Sequence, residues 1–254
     1  MSKKQREMTI NLPTTKLPAV TQDPKNLIIY GVPKIGKTTI LSHLENCLII
    51  DIEDGSDYVE AMKVKVGTLG ELQAVCKAIV EAGKPYDFIA LDTITSLEDF
   101  AKPLALREYQ SSPQGGGYTG DILHLPHGAG YGYLRNAVEK IINMVASVTT
   151  NLILVGHVKD KALAAAAEAT SGSTIELDLT GKLGRILAAK SDAIGFVHRD
   201  EDSNLCISFE TDGNASAGAR PEHLANKNII VAEKTEEGFI SHWDRIFPSL
   251  KSNK

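Results

Sequence analysis

Cysteine is scarce in this 254-residue chain. Cys47, Cys76 and Cys206 are odd in number and far apart, so neither a disulfide framework nor a zinc ribbon is indicated. No stretch approaches the ~20 apolar residues that a membrane-spanning helix needs. Lys3, Lys4 and Arg6 have no apolar run behind them, so the start does not read as a secretory signal, and the cytoplasm is the expected location. An excess of basic charge is missing too. The formal net charge is −5, which excludes a uniformly basic surface and confines any nucleic-acid binding to a local patch of Lys and Arg. Repeats are absent, and the one low-complexity stretch is alanine-rich, 161–169. The make-up is otherwise that of an ordinary globular domain, 43% hydrophobic and 23% charged.

Residues 1–25 read as an extended tail in which Pro13, Pro18 and Pro24 break any helix. Within it, 8–13 is either disordered in a free subunit or a strand added to a neighbouring one. Residues 26–250 read as a single domain. Four short apolar runs, 27–31, 47–51, 88–92 and 151–156, suit strands buried on both faces of a parallel sheet. Leu72, Val75, Cys76, Ile79 and Val80 fall on one helical face, closed by Gly83, and Leu134, Ala137, Val138, Ile141, Ile142 and Val145 repeat the pattern. After residue 190, 193–197 and 205–209 read as strands around a polar turn at 198–204. The expected fold is α/β, a mostly parallel central sheet flanked by helices with a C-terminal antiparallel extension.

The run Gly31-Val32-Pro33-Lys34-Ile35-Gly36-Lys37-Thr38 fits G-x-x-x-x-G-K-[ST], the phosphate loop of nucleoside-triphosphate-binding proteins. Gly31 and Gly36 let the backbone wrap so that successive N–H groups face a β-phosphate. Lys37 brings a point charge to the β- and γ-phosphates, Thr38 offers its hydroxyl to Mg²⁺, and the adjoining helix, with Thr39 in its first turn, presents its positive end. ATP and Mg²⁺ are the cofactors expected. Asp92 ends an apolar strand beside this loop, where it either completes the magnesium site or caps the next helix.

The strand after the loop ends Asp51-Ile52-Glu53-Asp54-Gly55-Ser56-Asp57, and here the chain resembles the RecA-like recombinase core. That resemblance implies a catalytic base at Glu53, orienting the water that attacks the γ-phosphate, with Asp51 as the rival; the acidic run also fits a merely solvated strand end. It implies a γ-phosphate sensor at His157, which ends the run from Leu152 and stands where that core usually has glutamine; the position also fits a histidine merely satisfied at a strand end. It further implies DNA-binding loops at 111–132, with seven glycines and Tyr118 and Tyr131, and at 159–184, with Lys159, Lys161 and Lys182; both segments equally fit flexible loops without DNA. Arg220 matches the arginine of a K-x-R signature that supplies cations in trans, although Gly218 replaces its lysine; Arg185 and Lys190 are reserves.

The whole pattern resembles the compact, phage-encoded branch of the RecA-like family. The resemblance implies an ATPase that assembles as a ring or filament on single-stranded DNA in a bacterial host cytoplasm, acts with single-stranded DNA-binding protein and promotes annealing. Two other readings use the same loop: a small-molecule kinase, disfavoured because 159–180 has no arginine for a lid, and a slow ATP-gated assembly protein. Asp121, His124 and His127 lack a fourth ligand for zinc. Ser96 and Ser191 lack a nucleophile elbow, and Trp243 reads as a core plug.

Overall fold

A computed structural model describes residues 12, 14–17, 23–159, 175–211 and 215–251. The tail segment 8–13, Leu12 apart, and the alanine-rich 161–169 lie outside the described residues.

The four apolar runs are the centre of the sheet. They form β1 (Asn26–Gly31), β2 (Cys47–Asp51), β4 (Phe88–Asp92) and β5 (Asn151–His157), with β3 (Lys63–Lys65) at one edge. Then come β6 (Ala193–Arg199), β7 (Leu205–Ser208), β8 (Gly218–Ala219), β9 (Asn228–Thr235) and β10 (Gly238–Ser241). Their order is β10-β9-β7-β6-β1-β5-β4-β2-β3, with β8 beside β6. From β6 to β3 every pairing is parallel, whereas β7, β8, β9 and β10 run antiparallel to their partners. The antiparallel extension is thus larger than the single late pair legible in the sequence.

Burial on both faces explains the uninterrupted apolar strands. In β1, Ile28 and Tyr30 face one core and Leu27 and Ile29 the other. The first core is closed by α2 (Leu69–Glu81), α3 (Ile94–Gln110), α4 (Ala129–Ala146) and α5 (Leu183–Lys190); the second is closed by α1 (Lys37–Ser42) and the C-terminal segment. Trp243 plugs that second core and donates its indole N–H to the Ile40 carbonyl at 2.8 Å, fixing α1 from behind.

Helix α3 is the helix expected after Asp92, and it continues through Pro103 to Gln110, an extent that the sequence does not show. Its buried face, Ile94, Leu97, Ala101 and Ala105, nevertheless keeps the helical period, and the Thr93 side chain caps it. The segment 111–132 is also more ordered than its glycines suggest. Tyr118 stacks edge-on with Tyr109, its hydroxyl donates to the Asp121 carbonyl, and Ile122 is buried; α4 begins at Ala129, so Gly130 and Gly132 are helical. The loop between the helices therefore ends four residues early, and Tyr118 is committed to packing.

Candidate active site

Strand register brings the chemistry of the motifs to one edge. Gly31 at the end of β1 is level with His157 at the end of β5. Asp92 at the end of β4 is level with Val155 on one side and Asp51 on the other. Glu53 stands two residues beyond Asp51. Hence the phosphate loop, Asp92, Glu53 and His157, far apart in sequence, share the carboxyl edge of the parallel strands, where open α/β sheets bind ligands.

The loop from Gly31 to α1 needs both its glycines. A Cβ at Gly31 would stand 2.7 Å from the Val197 carbonyl oxygen, so β6 can pass this close only to glycine. Gly36 has φ +114°, in the left-handed region that delivers the backbone into α1. Lys37 is 6% exposed; its Nζ donates to the carbonyls of Gly31 and Val32, both at 3.0 Å, and lies 3.4 Å from His157 Nδ1. Burial lowers its pKa, opposed by the charges of Asp92 and Glu53.

The Thr38 hydroxyl donates to Asp92 Oδ2 at 2.6 Å. Asp92 is 7% exposed, and burial pushes its pKa up, with the Thr38 hydrogen bond acting the other way. The cap of α3 comes from Thr93 and not from Asp92: the Thr93 side chain accepts from Ser96 N–H. A buried carboxylate touching a hydroxyl is a hard-oxygen donor pair with charge to neutralise. It fits Mg²⁺, which takes one or two protein ligands plus phosphate oxygens. Among the described residues no group of three or more His, Cys, Asp or Glu could hold a metal unaided.

Asp51 and Glu53 have opposite fates. Asp51, 3% exposed, accepts the backbone N–H groups of Glu53, Gly55 and Ser56 at 2.9–3.3 Å; burial resists its ionisation, but these bonds prevail and lower its pKa. It is consumed in shaping the turn. Glu53 faces the cleft: Oε1 accepts from the hydroxyls of Thr93 at 2.5 Å and Ser96 at 2.8 Å, and Oε2 lies 3.0 Å from His157 Nε2. The His157 hydrogen bond is the largest cause of its pKa of about 2, with burial opposing and Thr93 and Ser96 assisting. Since an ammonium only donates, the arrangement puts the His157 lone pair on Nδ1, toward Lys37, and its proton on Nε2, toward Glu53. His157 therefore bridges the loop lysine and the acidic residue.

Arg220 is remote from this edge. It comes directly after β8, its guanidinium meets Asp192 at 3.3 Å and the Ala189 carbonyl at 2.7 Å, and its side chain is 62% exposed. Asp192 also accepts the backbone N–H groups of Lys25 and Asn26, at the beginning of β1. Arg220 thus lies at the opposite end of the strands from its own phosphate loop. Of the reserve cations, Arg185 pairs with Glu176 and Lys190 with Glu139.

Several neighbours of the site are invisible in the sequence. Thr93 and Ser96 carry no signal beyond their position after Asp92. Arg199, at the end of β6, donates to the Ile35 carbonyl at 3.3 Å and to the Ser203 carbonyl at 2.7 Å, bracing the phosphate loop from the antiparallel side. It borders a cavity of about 460 Å³ between the loop and β9–β10, lined also by Gly36, Thr39, Lys234 and Phe239.

A family model described as an AAA domain matches residues 23–236. No curated protein matches the chain. Among solved structures, the crystal structure of the RadB recombinase aligns with 87% of this chain and 92% of that one, at 10% identity and a TM-score of 0.46. At that level the likeness carries no functional information.

Proposed function

The chain belongs to the AAA-domain family, and from that premise we propose that it is a RecA-like P-loop ATPase that assembles on single-stranded DNA and promotes annealing or recombination. One observation carries the catalytic part: the chain of contacts Lys37–His157–Glu53 across the carboxyl edge of the parallel strands, beside the Thr38–Asp92 pair.

In this reading Lys37 exchanges the carbonyls of Gly31 and Val32 for the β- and γ-phosphates of ATP. His157, then facing phosphate in place of the lysine, loosens from Glu53. Glu53 stays oriented by Thr93 and Ser96 and accepts a hydrogen bond from the attacking water. Thr38 and Asp92 would hold magnesium, which supplies charge neutralisation between the phosphates.

DNA binding is supported by a second cavity, about 560 Å³, that opens between the amino ends of α4 and α5 and is lined by His127, Tyr131, Arg135 and Lys182. Tyr131 is 48% exposed. An aromatic ring among basic side chains suits stacked bases and a phosphate backbone, and on a chain of net charge −5 it is the local patch that such binding needs. Arg220 would act on a neighbouring subunit's γ-phosphate after leaving Asp192, so turnover would depend on assembly.

Glu53→Gln separates binding from chemistry. It should retain ATP binding and lose about 10²-fold or more in turnover, whereas Lys37→Ala should lose binding itself. Normal turnover in Glu53→Gln would remove Glu53 from the role of base.

A further inference from the structure

Glu98 is a buried acid with no part in the phosphate chemistry. It stands in the second turn of α3 and is 9% exposed. Among the described residues no cation pairs with it. Both of its oxygens go to one residue instead: Oε1 accepts the Thr180 backbone N–H at 2.8 Å, and Oε2 accepts the Thr180 hydroxyl at 2.7 Å. Burying a carboxylate without a cation is costly, whereas hydrogen bonds to a charged acceptor are stronger than neutral ones. Ile94, Leu97 and Ala101 show what packing alone asks of this face of α3, namely apolar side chains. The carboxylate of Glu98 is placed to grip Thr180.

The two ends of this contact lead to different parts of the molecule. Thr180 borders the cavity between α4 and α5, and its carbonyl accepts the Leu183 N–H at 3.2 Å, which sets the turn into α5. Gly181 follows with φ +61° and lies against the Tyr131 ring, where a Cβ would stand 3.3 Å from Cδ1. Lys182 comes next. Holding Thr180 therefore holds the aromatic and basic groups of that patch in place. On the α3 side, the hydroxyls of Thr93 and Ser96 donate to Glu53, and the Thr95 hydroxyl oxygen accepts the His157 backbone N–H at 3.2 Å. The segment 93–98 thus touches the acidic residue, the bridging histidine and the edge of the patch. Ile94 and Leu97 anchor it in the core, both fully buried. A packed helical turn of this kind shifts as a unit and carries a displacement from one site to the other.

We propose that Glu98 is a positioning residue that couples occupation of the Tyr131–Lys182 patch by single-stranded DNA to the setting of Glu53. It touches neither nucleotide nor DNA. DNA drawn onto Tyr131 and Lys182 fixes Thr180, and Thr180 fixes α3 through Glu98. Helix α3 in turn fixes the Thr93 and Ser96 hydroxyls that aim Glu53 at the attacking water. The inference rests on reading the chain as a DNA-dependent ATPase. Coupling of this kind is reciprocal, so DNA and ATP should tighten each other's binding by the same factor.

The test compares Glu98→Leu and Glu98→Gln in the full chain. Leucine keeps the bulk and loses both contacts, whereas a glutamine carboxamide can accept the Thr180 N–H and donate to its hydroxyl. Two quantities are read: ATP turnover with and without a single-stranded oligonucleotide, and the affinity for that oligonucleotide with and without a non-hydrolysable ATP analogue. Glu98→Leu should leave turnover without DNA unchanged, lose about tenfold of the stimulation by DNA, and bind the oligonucleotide equally well with and without the analogue. Glu98→Gln should behave like the wild type in both. A merely structural role would lower stability and basal turnover and leave the stimulation ratio as it was. If Glu98→Leu does not fold, Thr180→Val, which keeps the N–H bond and loses the hydroxyl, should still lower the ratio. A wild-type ratio in the Leu variant or its substitute, or a ratio lost equally in Glu98→Gln, overturns the proposal. A wild-type protein that hydrolyses ATP but neither binds nor responds to the oligonucleotide overturns the DNA reading itself, and this coupling with it.

Discussion

Glu53 and Asp51 are two residues apart on one acidic strand end, yet only the three-dimensional environment separates them. Asp51 is spent on three backbone N–H groups, and Glu53 is left facing the cleft with His157, Thr93 and Ser96. The low Glu53 pKa, about 2 against an ordinary 4.5, has a consequence for stability. A depressed carboxylate stabilises the fold above its unfolded pKa, and that contribution is lost as pH falls toward the folded value. After discounting for solvent screening it is on the order of 1 kcal/mol. Glu53→Gln should therefore be less stable than the wild type at pH 7, with the gap shrinking as pH falls below about 4.5 and gone near 2. Urea titrations at several pH values measure this; a gap independent of pH would contradict it. Gly31, Gly36, Lys37, Thr38 and Asp92 are legible in the sequence because motif chemistry fixes their spacing. Thr93, Ser96, Arg199 and Phe239 are not, since each meets the site only through folding or, for Arg199, across 164 residues of chain.

At the scale of elements, β1 does more than end in the phosphate loop. Its Tyr30 hydroxyl is buried between the carbonyls of Ile175 and Ser216, at 3.1 and 2.9 Å, and burial is the main reason its pKa is raised. Ser216 N–H in turn donates to the Ile175 carbonyl at 2.8 Å. Tyr30 thereby ties the return of the chain behind His157 to the segment that leads into β8 and Arg220. Tyr30→Phe removes the donor and leaves those carbonyls partly unsatisfied, at a cost of about 1–2 kcal/mol. Denaturant unfolding should show a lower midpoint with an unchanged slope; an unaltered midpoint would mean that the tie contributes nothing. The central strands can be read directly because burial on both faces writes a continuous apolar run. The three residues of β3, the two of β8 and the half-exposed β9 and β10 leave no such signature. Their place is set by pairing with distant strands, which local pattern does not encode.

For the whole molecule, the distance between Arg220 and the phosphate loop is the decisive dimension. They lie at opposite ends of β1, whose six residues span roughly 20 Å. A lone subunit therefore cannot bring Arg220 to its own nucleotide without rearranging the sheet. If Arg220 acts in trans, Arg220→Ala should keep ATP binding and lose about 10³-fold of the turnover gained on assembly. Mixing it with a Glu53→Gln variant should then restore some activity, because each subunit type supplies what the other lacks; no rescue would argue against a shared site. The order of motifs along the chain makes the scaffold and its reactive edge legible. The resemblance points to Tyr131 and Lys182 only as members of two separate loops; their meeting with Arg135 in one patch is not legible, because it exists only once α4 and α5 are packed side by side. The most direct measurement is ATP hydrolysis by the wild type and Lys37→Ala, with and without single-stranded DNA. Hydrolysis should rise with DNA and be abolished by Lys37→Ala under both conditions. Lys37-dependent hydrolysis indifferent to DNA would contradict a DNA-dependent ATPase.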